Sequence, residues 1–113
     1  MSSDITEFES NYSKGTLRVR MLELENGLLV LLSDSDRFRL GQSAVAIPAG
    51  QGRAEPTSAG VFSGALDVAL VRTIAERIAA MTGQTCMVVS GIREISREIM
   101  MEIIVILKNH LVA

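Results

Sequence analysis

The side chains that could carry chemistry in this sequence are few and lie far apart. Cys86 and His110 are the single cysteine and the single histidine of the chain. One histidine cannot build a multi-histidine metal site, and one cysteine excludes an internal disulfide and a cysteine-based zinc site. Spacing links no serine or cysteine nucleophile to His110, so the pairing of a nucleophile with a base is missing. We therefore predict no catalytic residue, no metal and no cofactor, and we expect Cys86 to act as a small buried hydrophobe.

Two short motifs begin like known binding loops, and both fail on their spacing. Gly50-Gln51-Gly52 starts like a dinucleotide-binding fingerprint, but Glu55 occupies the position of the third glycine. Asp34 and Asp36 start like a calcium-binding loop, but Val45 stands where the twelfth position requires glutamate. We interpret the first motif as a flexible loop and the two aspartates as turn residues. Neither motif supports an enzyme.

Composition favours one globular domain in the cytoplasm. The chain has 113 residues, 48% of them hydrophobic, and a formal net charge of −2. This charge gives no electrostatic footprint for nucleic acid or for an acidic membrane surface. The first residues include Asp4, Glu7 and Glu9 and have no apolar core, unlike a signal peptide. The most apolar run, Ile99 to Leu107, contains Glu102 and is too short to span a bilayer. We therefore predict a cytoplasmic protein with no nucleic-acid or membrane partner.

The first half of the chain predicts strands that could position a binding surface. Apolar and charged residues alternate over much of Thr16–Glu25, which is typical of a strand with one wet face. Asn26-Gly27 predicts a hairpin turn, because both residues tolerate positive φ. Apolar strands follow over Leu28–Ser33 and Ser43–Ile47. We interpret these three strands as an antiparallel meander, and Gly60–Phe62 as a short fourth strand.

The second half of the chain predicts two helices around one buried strand. Apolar residues recur on a single face from Leu66 to Met81, as expected for an amphipathic helix packed on a core. Gly83 follows at the position of a left-handed helix cap. The short run Thr85–Val89 is apolar and rich in strand formers. Ile92–Val112 carries a second helical stripe, made mostly of isoleucines, so we predict a helix, while the β-branched run Ile103–Ile106 keeps a strand open as the alternative.

These elements define the predicted architecture. It is an α+β fold in which an antiparallel β-meander of about five strands packs with two main helices, in the order β-β-β-(β)-α-β-α. Residues 1–15 are polar and without period, so we expect them to form a mobile N-terminal tail. Residues 16–113 form the single α+β domain.

Two surfaces are candidates for binding other proteins. Met101 and Val105 are apolar residues among the charged positions of the final helix, and we predict that they form a dimer interface. Gln51, Arg53 and Glu55 belong to a loop rich in glycine, proline and small residues, and we predict that they contact a partner.

The order and content of these elements also resemble a known family. The resemblance is carried by Asn26–Leu32, Ala44–Ile47, Leu70, Ile74–Ala79, Thr82–Ser90 and the terminal helix. Over roughly Leu17 to His110, the chain resembles the proteasome assembly chaperones of the third and fourth kind, most closely the fourth.

The resemblance implies a small α+β protein without enzymatic activity that pairs with a like subunit as a homo- or heterodimer. It further implies that the dimer binds proteasome α-type subunits during 20S α-ring assembly and leaves before maturation. This sequence departs from the family pattern in the loop over Gly50–Pro56 and in its strongly apolar final helix. No individual binding residue is therefore carried over from the family.

Two other classes of function stay open. The main alternative is a small α+β regulatory or ligand-binding scaffold domain for another protein or enzyme, which predicts a deep pocket and a thermal shift with a small molecule. An enzyme is the third class, with His110 or Asp34 as its acid or base.

Overall fold

One mixed β-sheet with two helices on one of its faces makes up the described part of the chain. The computed structural model describes residues 4–50, 57–60 and 66–112. In chain order the elements are β1 (Ile5–Tyr12), β2 (Gly15–Leu24), β3 (Gly27–Ser33), β4 (Gln42–Ile47), β5 (Thr57–Gly60), α1 (Leu66–Thr82), β6 (Thr85–Ser90) and α2 (Arg97–Leu111). The α+β class and the predicted succession of strands and helices are confirmed.

The sheet has six strands in the order β1-β2-β3-β6-β4-β5. β1, β2 and β3 form an antiparallel meander, whereas β6 lies parallel to β3 and antiparallel to β4. The prediction that β4 follows β3 directly in the meander was therefore wrong. β3 carries the longest apolar run of the sheet, and its pairing with the apolar strand β6 at the centre keeps both strands away from the edges.

The N-terminal residues form a strand, so the prediction of a mobile tail over residues 1–15 was wrong for the described part of that segment. β1 pairs antiparallel with β2 along its whole length, from Ile5 opposite Leu22 to Tyr12 opposite Gly15. Phe8 and Tyr12 pack against the core from alternate positions of β1. The residues next to Phe8 and Tyr12 along the strand are polar. Only half of the core-facing positions of β1 are aromatic, so the alternation typical of a strand is weak.

Helix α1 covers the sheet with the face that its periodicity predicts. The fully buried residues of the helix are Val71, Ile74, Ala75, Ile78 and Ala79. They pack in one core with alternate residues of the strands, namely Leu17, Val19, Val30, Leu32, Ala44, Ala46, Cys86 and Val88. Gly83 has φ 68° after the last helical residue, which confirms the predicted left-handed cap. The sequence also predicts Ser63 as the N-cap of this helix, and Ser63 lies outside the described residues.

Helix α2 begins at Arg97 rather than at Ile92. Ser96 is its N-cap, and the Ser96 Oγ accepts a hydrogen bond from the Ile99 backbone N–H at 3.2 Å. Glu94 has φ 54°, a left-handed conformation that a helix cannot contain, so the helical path starts after it. The isoleucine stripe is otherwise confirmed, with Ile99, Met100, Ile103, Ile104 and Leu107 buried.

The hairpin predicted at Asn26-Gly27 is present, but the glycine has a different role. Leu24 pairs with Gly27, so the two turn residues are Glu25 and Asn26, and Gly27 is the first residue of β3. A Cβ atom at Gly27 would lie 2.3 Å from the backbone oxygen of Thr85. Gly27 is therefore needed because β6 approaches β3 closely at this point, and not because of a positive φ.

Replacement of Gly27 by alanine is expected to destabilise the protein by about 1–3 kcal/mol, because the backbones of β3 and β6 must separate to admit the methyl group. Urea unfolding at a fixed protein concentration measures this change. Gly50→Ala is the matched control, since a Cβ atom there meets nothing within 4 Å. Equal stability of the two variants would show that the close approach at Thr85 is not a constraint.

Candidate interaction surfaces

Cys86 is placed where it cannot act as a nucleophile at neutral pH. It lies in β6 at the centre of the sheet and is fully buried. Desolvation raises the pKa of the Cys86 thiol to about 12. The thiolate is the reactive form, and at neutral pH this thiol stays protonated. Cys86 therefore packs as a small hydrophobe, as the sequence predicts.

His110 and Asp34, the two candidates for an acid or base, both make contacts that join elements of the fold. The His110 ring stacks on Phe8 with 4.0 Å between ring centroids and an angle of 13° between the planes. The Asp34 Oδ2 atom accepts a hydrogen bond from the Arg93 backbone N–H at 2.9 Å and lies 3.9 Å from the Lys14 Nζ. These contacts tie α2 to β1 and the loop before α2 to the turn after β3.

The ionisable side chains do not converge into a metal-binding group. Within residues 4–50, 57–60 and 66–112, no three His, Cys, Asp or Glu side chains come close enough together to hold a metal ion. No helix within the same ranges is long and apolar enough to cross a membrane.

One face of the sheet is largely apolar and is not covered by either described helix. The strand register places one side chain of each strand in a row across this face. The row consists of Ile5, Leu22, Leu29, Met87, Val45 and Ala59. At the centre of the row, Met87 is 38% exposed. We call this row, together with its neighbours Leu31 and Ile47, the open face. An exposed apolar surface that spans several strands is typical of a protein-interaction site.

The loop between β3 and β4 enlarges the apolar surface at one end of the open face. Leu40 in this loop is 89% exposed, although it is a large apolar residue. A shallow hollow of about 150 Å³ lies between the loop and the sheet, lined by Leu31, Phe38, Arg39, Leu40 and Val89. Leu40 thus adds to the exposed apolar surface beside the sheet.

A row of ion pairs borders the open face on the side of β1. Glu7 Oε2 lies 2.8 Å from Arg20 Nη2, and Glu9 Oε2 lies 2.7 Å from Arg18 Nη1. The Arg20 guanidinium also lies 4.8 Å from the centre of the Phe38 ring. We call these two ion pairs the charged margin. A polar border around an apolar centre is the usual anatomy of a protein interface.

The two residues predicted as a dimer interface lie together on the outer side of α2. Met101 is 45% exposed and Val105, one turn later, is 50% exposed. They line a groove of about 350 Å³ together with Asn11, Glu102 and Ile106. The structure therefore brings this predicted pair together, and it adds β1 as the second wall of the groove.

The other predicted surface cannot be placed. Gln51, Arg53 and Glu55, expected to contact a partner, lie outside the described residues. The open face, in contrast, was missed by the sequence prediction, although a signal for it was present. Leu22 breaks the alternation of β2, and β3 is apolar at every position from Leu28 to Leu32. Strands that are apolar on both sides are typical of a sheet with both faces buried.

These features define a small α+β domain with one face covered by helices and one apolar face that neither described helix covers. No family model matches the sequence, and no curated protein matches it. Among solved structures, the chain is similar to one described as a novel chaperone complex for yeast 20S proteasome assembly. The TM-score is 0.64 at 13% sequence identity, over 96% of this chain and 93% of that chain. The protein thus has a fold like that of a proteasome assembly chaperone, as the family resemblance implies.

Proposed function

We propose that this protein is a non-enzymatic, cytoplasmic assembly chaperone that works as a dimer and binds proteasome α-type subunits during assembly of the 20S α-ring. The observation that carries the proposal is the open face, an apolar surface that neither described helix covers, on a fold similar to that of a proteasome assembly chaperone complex. The burial of Cys86 and the structural contacts of His110 and Asp34 favour binding over catalysis.

Dimerisation by the open face is supported by its size. The whole side of the sheet that carries the open face has six strands about 4.8 Å apart with about six residues of 3.3 Å in each, so it covers about 600 Å² on each subunit, charged margin included. A stable interface buries about 800 Å² on each partner, so this side of the sheet with the added surface of Leu40 approaches the required area. Met101 and Val105 alone offer much less apolar surface area. The partner is a like subunit, either a second copy or a related chain.

With the open face engaged in the dimer, the helix-covered side and the edges of the sheet remain available for a client. This arrangement suits a chaperone, because one subunit surface holds the dimer while others contact the α-type subunit. The predicted contacts of Gln51, Arg53 and Glu55 with a client belong to this part of the proposal.

A pairwise pull-down against every proteasome α-type subunit of the host cell tests the proposal, with the β-type subunits as matched controls. We expect the protein to retain one or a few α-type subunits and no β-type subunit. Failure to retain any α-type subunit would contradict the proposal. A thermal shift with a small molecule, together with that failure, would favour the regulatory or ligand-binding alternative.

A further inference from the structure

β1 lies at one edge of the described sheet, and its outer side from Glu7 to Asn11 pairs with no described strand. The Glu23 backbone N–H donates a hydrogen bond to the Asp4 backbone carbonyl oxygen at 2.8 Å. Along an antiparallel ladder, hydrogen-bonded pairs alternate with pairs that are not hydrogen-bonded. The even-numbered residues of β1 therefore bond to β2. Glu7, Glu9 and Asn11 direct their backbone N–H and C=O groups away from the sheet, and those groups have no partner in the described part of the chain. Such an edge is a template for a further strand.

A groove runs beside this edge because α2 is held next to β1 at two points. The Ser13 backbone N–H donates to Glu102 Oε1 at 2.9 Å, and Phe8 stacks on His110 near the other end of the helix. Between these contacts lies the groove of about 350 Å³, whose apolar wall is formed by Met101, Val105 and Ile106. An unpaired strand edge beside a helix is a place where extended peptides add to a sheet.

The charges on β1 determine which kind of strand can pair with its outer edge. Glu7 and Glu9 point to the open face, and their side chains are 44% and 51% exposed although each pairs with an arginine of β2. Opposite charges directly across two strands are stabilising and like charges are destabilising. A basic residue opposite each glutamate would extend the charged margin by one strand. The β1 strand of a second copy would instead bring glutamates together, which disfavours pairing of the two edges.

We propose that the edge of β1 and the α2 groove bind an extended segment of a partner protein as a seventh strand. The segment has basic residues alternating with apolar ones. Its basic side chains lie opposite Glu7 and Glu9, and its apolar side chains enter the groove against Met101 and Val105. β2 carries the same pattern in Leu17–Met21 and pairs with the other side of β1. The outer edge of β1 and the α2 groove lie beside the open face, and the site shares with it only the charged margin of Glu7 and Glu9.

A synthetic peptide in which arginine alternates with leucine or valine, as long as the eight residues of β1, tests the proposal on the unaltered protein. Fluorescence anisotropy should detect binding that weakens as salt is added. Methylation of the alternate amides that face β1 should abolish binding, whereas methylation of the other set should preserve it. The same peptide with glutamate in place of arginine should not bind. Equal affinity of the two methylated peptides would overturn the proposal.

Two variants of the protein complete the test. Glu9→Pro removes the outward N–H and adds a ring at the edge, but it leaves the ladder to β2 intact. We expect it to weaken peptide binding at least about tenfold, whereas Glu9→Gln, which removes only the charge, weakens it about threefold. Circular dichroism and thermal unfolding confirm that both variants fold. Unchanged peptide affinity in Glu9→Pro, or a change of its oligomeric state with the open face intact, would contradict the proposal.

Discussion

Met87→Glu is expected to convert the dimer into folded monomers. Met87 lies at the centre of the open face and is 38% exposed in the single subunit, so the new carboxylate remains hydrated when the subunit is alone. In the dimer the carboxylate would be buried without a partner, which costs several kcal/mol. Since about 1.4 kcal/mol corresponds to a factor of ten, the dimer dissociation constant should rise at least about 100-fold. Sedimentation velocity over a dilution series measures the change.

Val105→Glu is the matched control for this prediction. Val105 is 50% exposed on α2, on a different surface from the open face. The dimer should therefore keep its dissociation constant in this variant, and both variants should retain the thermal stability of a folded subunit. The opposite result, in which only Val105→Glu dissociates the dimer, would place the dimer interface at Met101 and Val105, as the sequence predicts.

Ile103→Ala is expected to lower the free energy of unfolding by about 2–5 kcal/mol, because it leaves a cavity where α2 packs on the core. Ile103 is fully buried. A domain of this size has a total stability of about 5–15 kcal/mol, so this single change removes a large part of it. Urea unfolding at one protein concentration measures the loss, since dimerisation makes stability depend on concentration.

Val105→Ala on the same helix separates packing from helix formation. Alanine favours the helix slightly, and an exposed position contributes little to packing, so stability should change by less than about 0.5 kcal/mol. Comparable losses in Ile103→Ala and Val105→Ala would mean that the buried stripe of α2 does not anchor the helix to the sheet.

The local elements of the fold could be predicted because their signals are local. The face of α1, the cap at Gly83 and the alternation of β2 each depend on neighbouring residues. β1 was missed because only half of its core-facing positions are apolar. The strand is also held by contacts with β2, such as the ion pair of Glu7 with Arg20, which no local pattern shows. The start of α2 was placed too early because Ile92 fits the helical spacing, while the backbone at Glu94 does not follow it.

The sheet order and the open face could not be predicted in the same way. β6 pairs with β3 although Gly27 and its partner Thr85 are far apart in the chain, and no local pattern encodes that choice. The open face exists only once this register has aligned Leu22, Leu29 and Met87. Met101 and Val105, in contrast, are one turn apart on a single helix, so their proximity was evident from the sequence.

The parallel pairing of β3 with β6 also has a consequence for synthesis of the chain. β1, β2 and β3 can form their meander as soon as residues up to Ser33 have left the ribosome, because their turns are short. The outer edge of β3 stays unpaired until residues up to Ser90 have been synthesised, because its partner is β6. During this interval an apolar strand edge is exposed on the nascent chain, which makes it prone to association with other chains. Once β6 has formed, it pairs with that edge of β3, and the edge is no longer exposed to other chains.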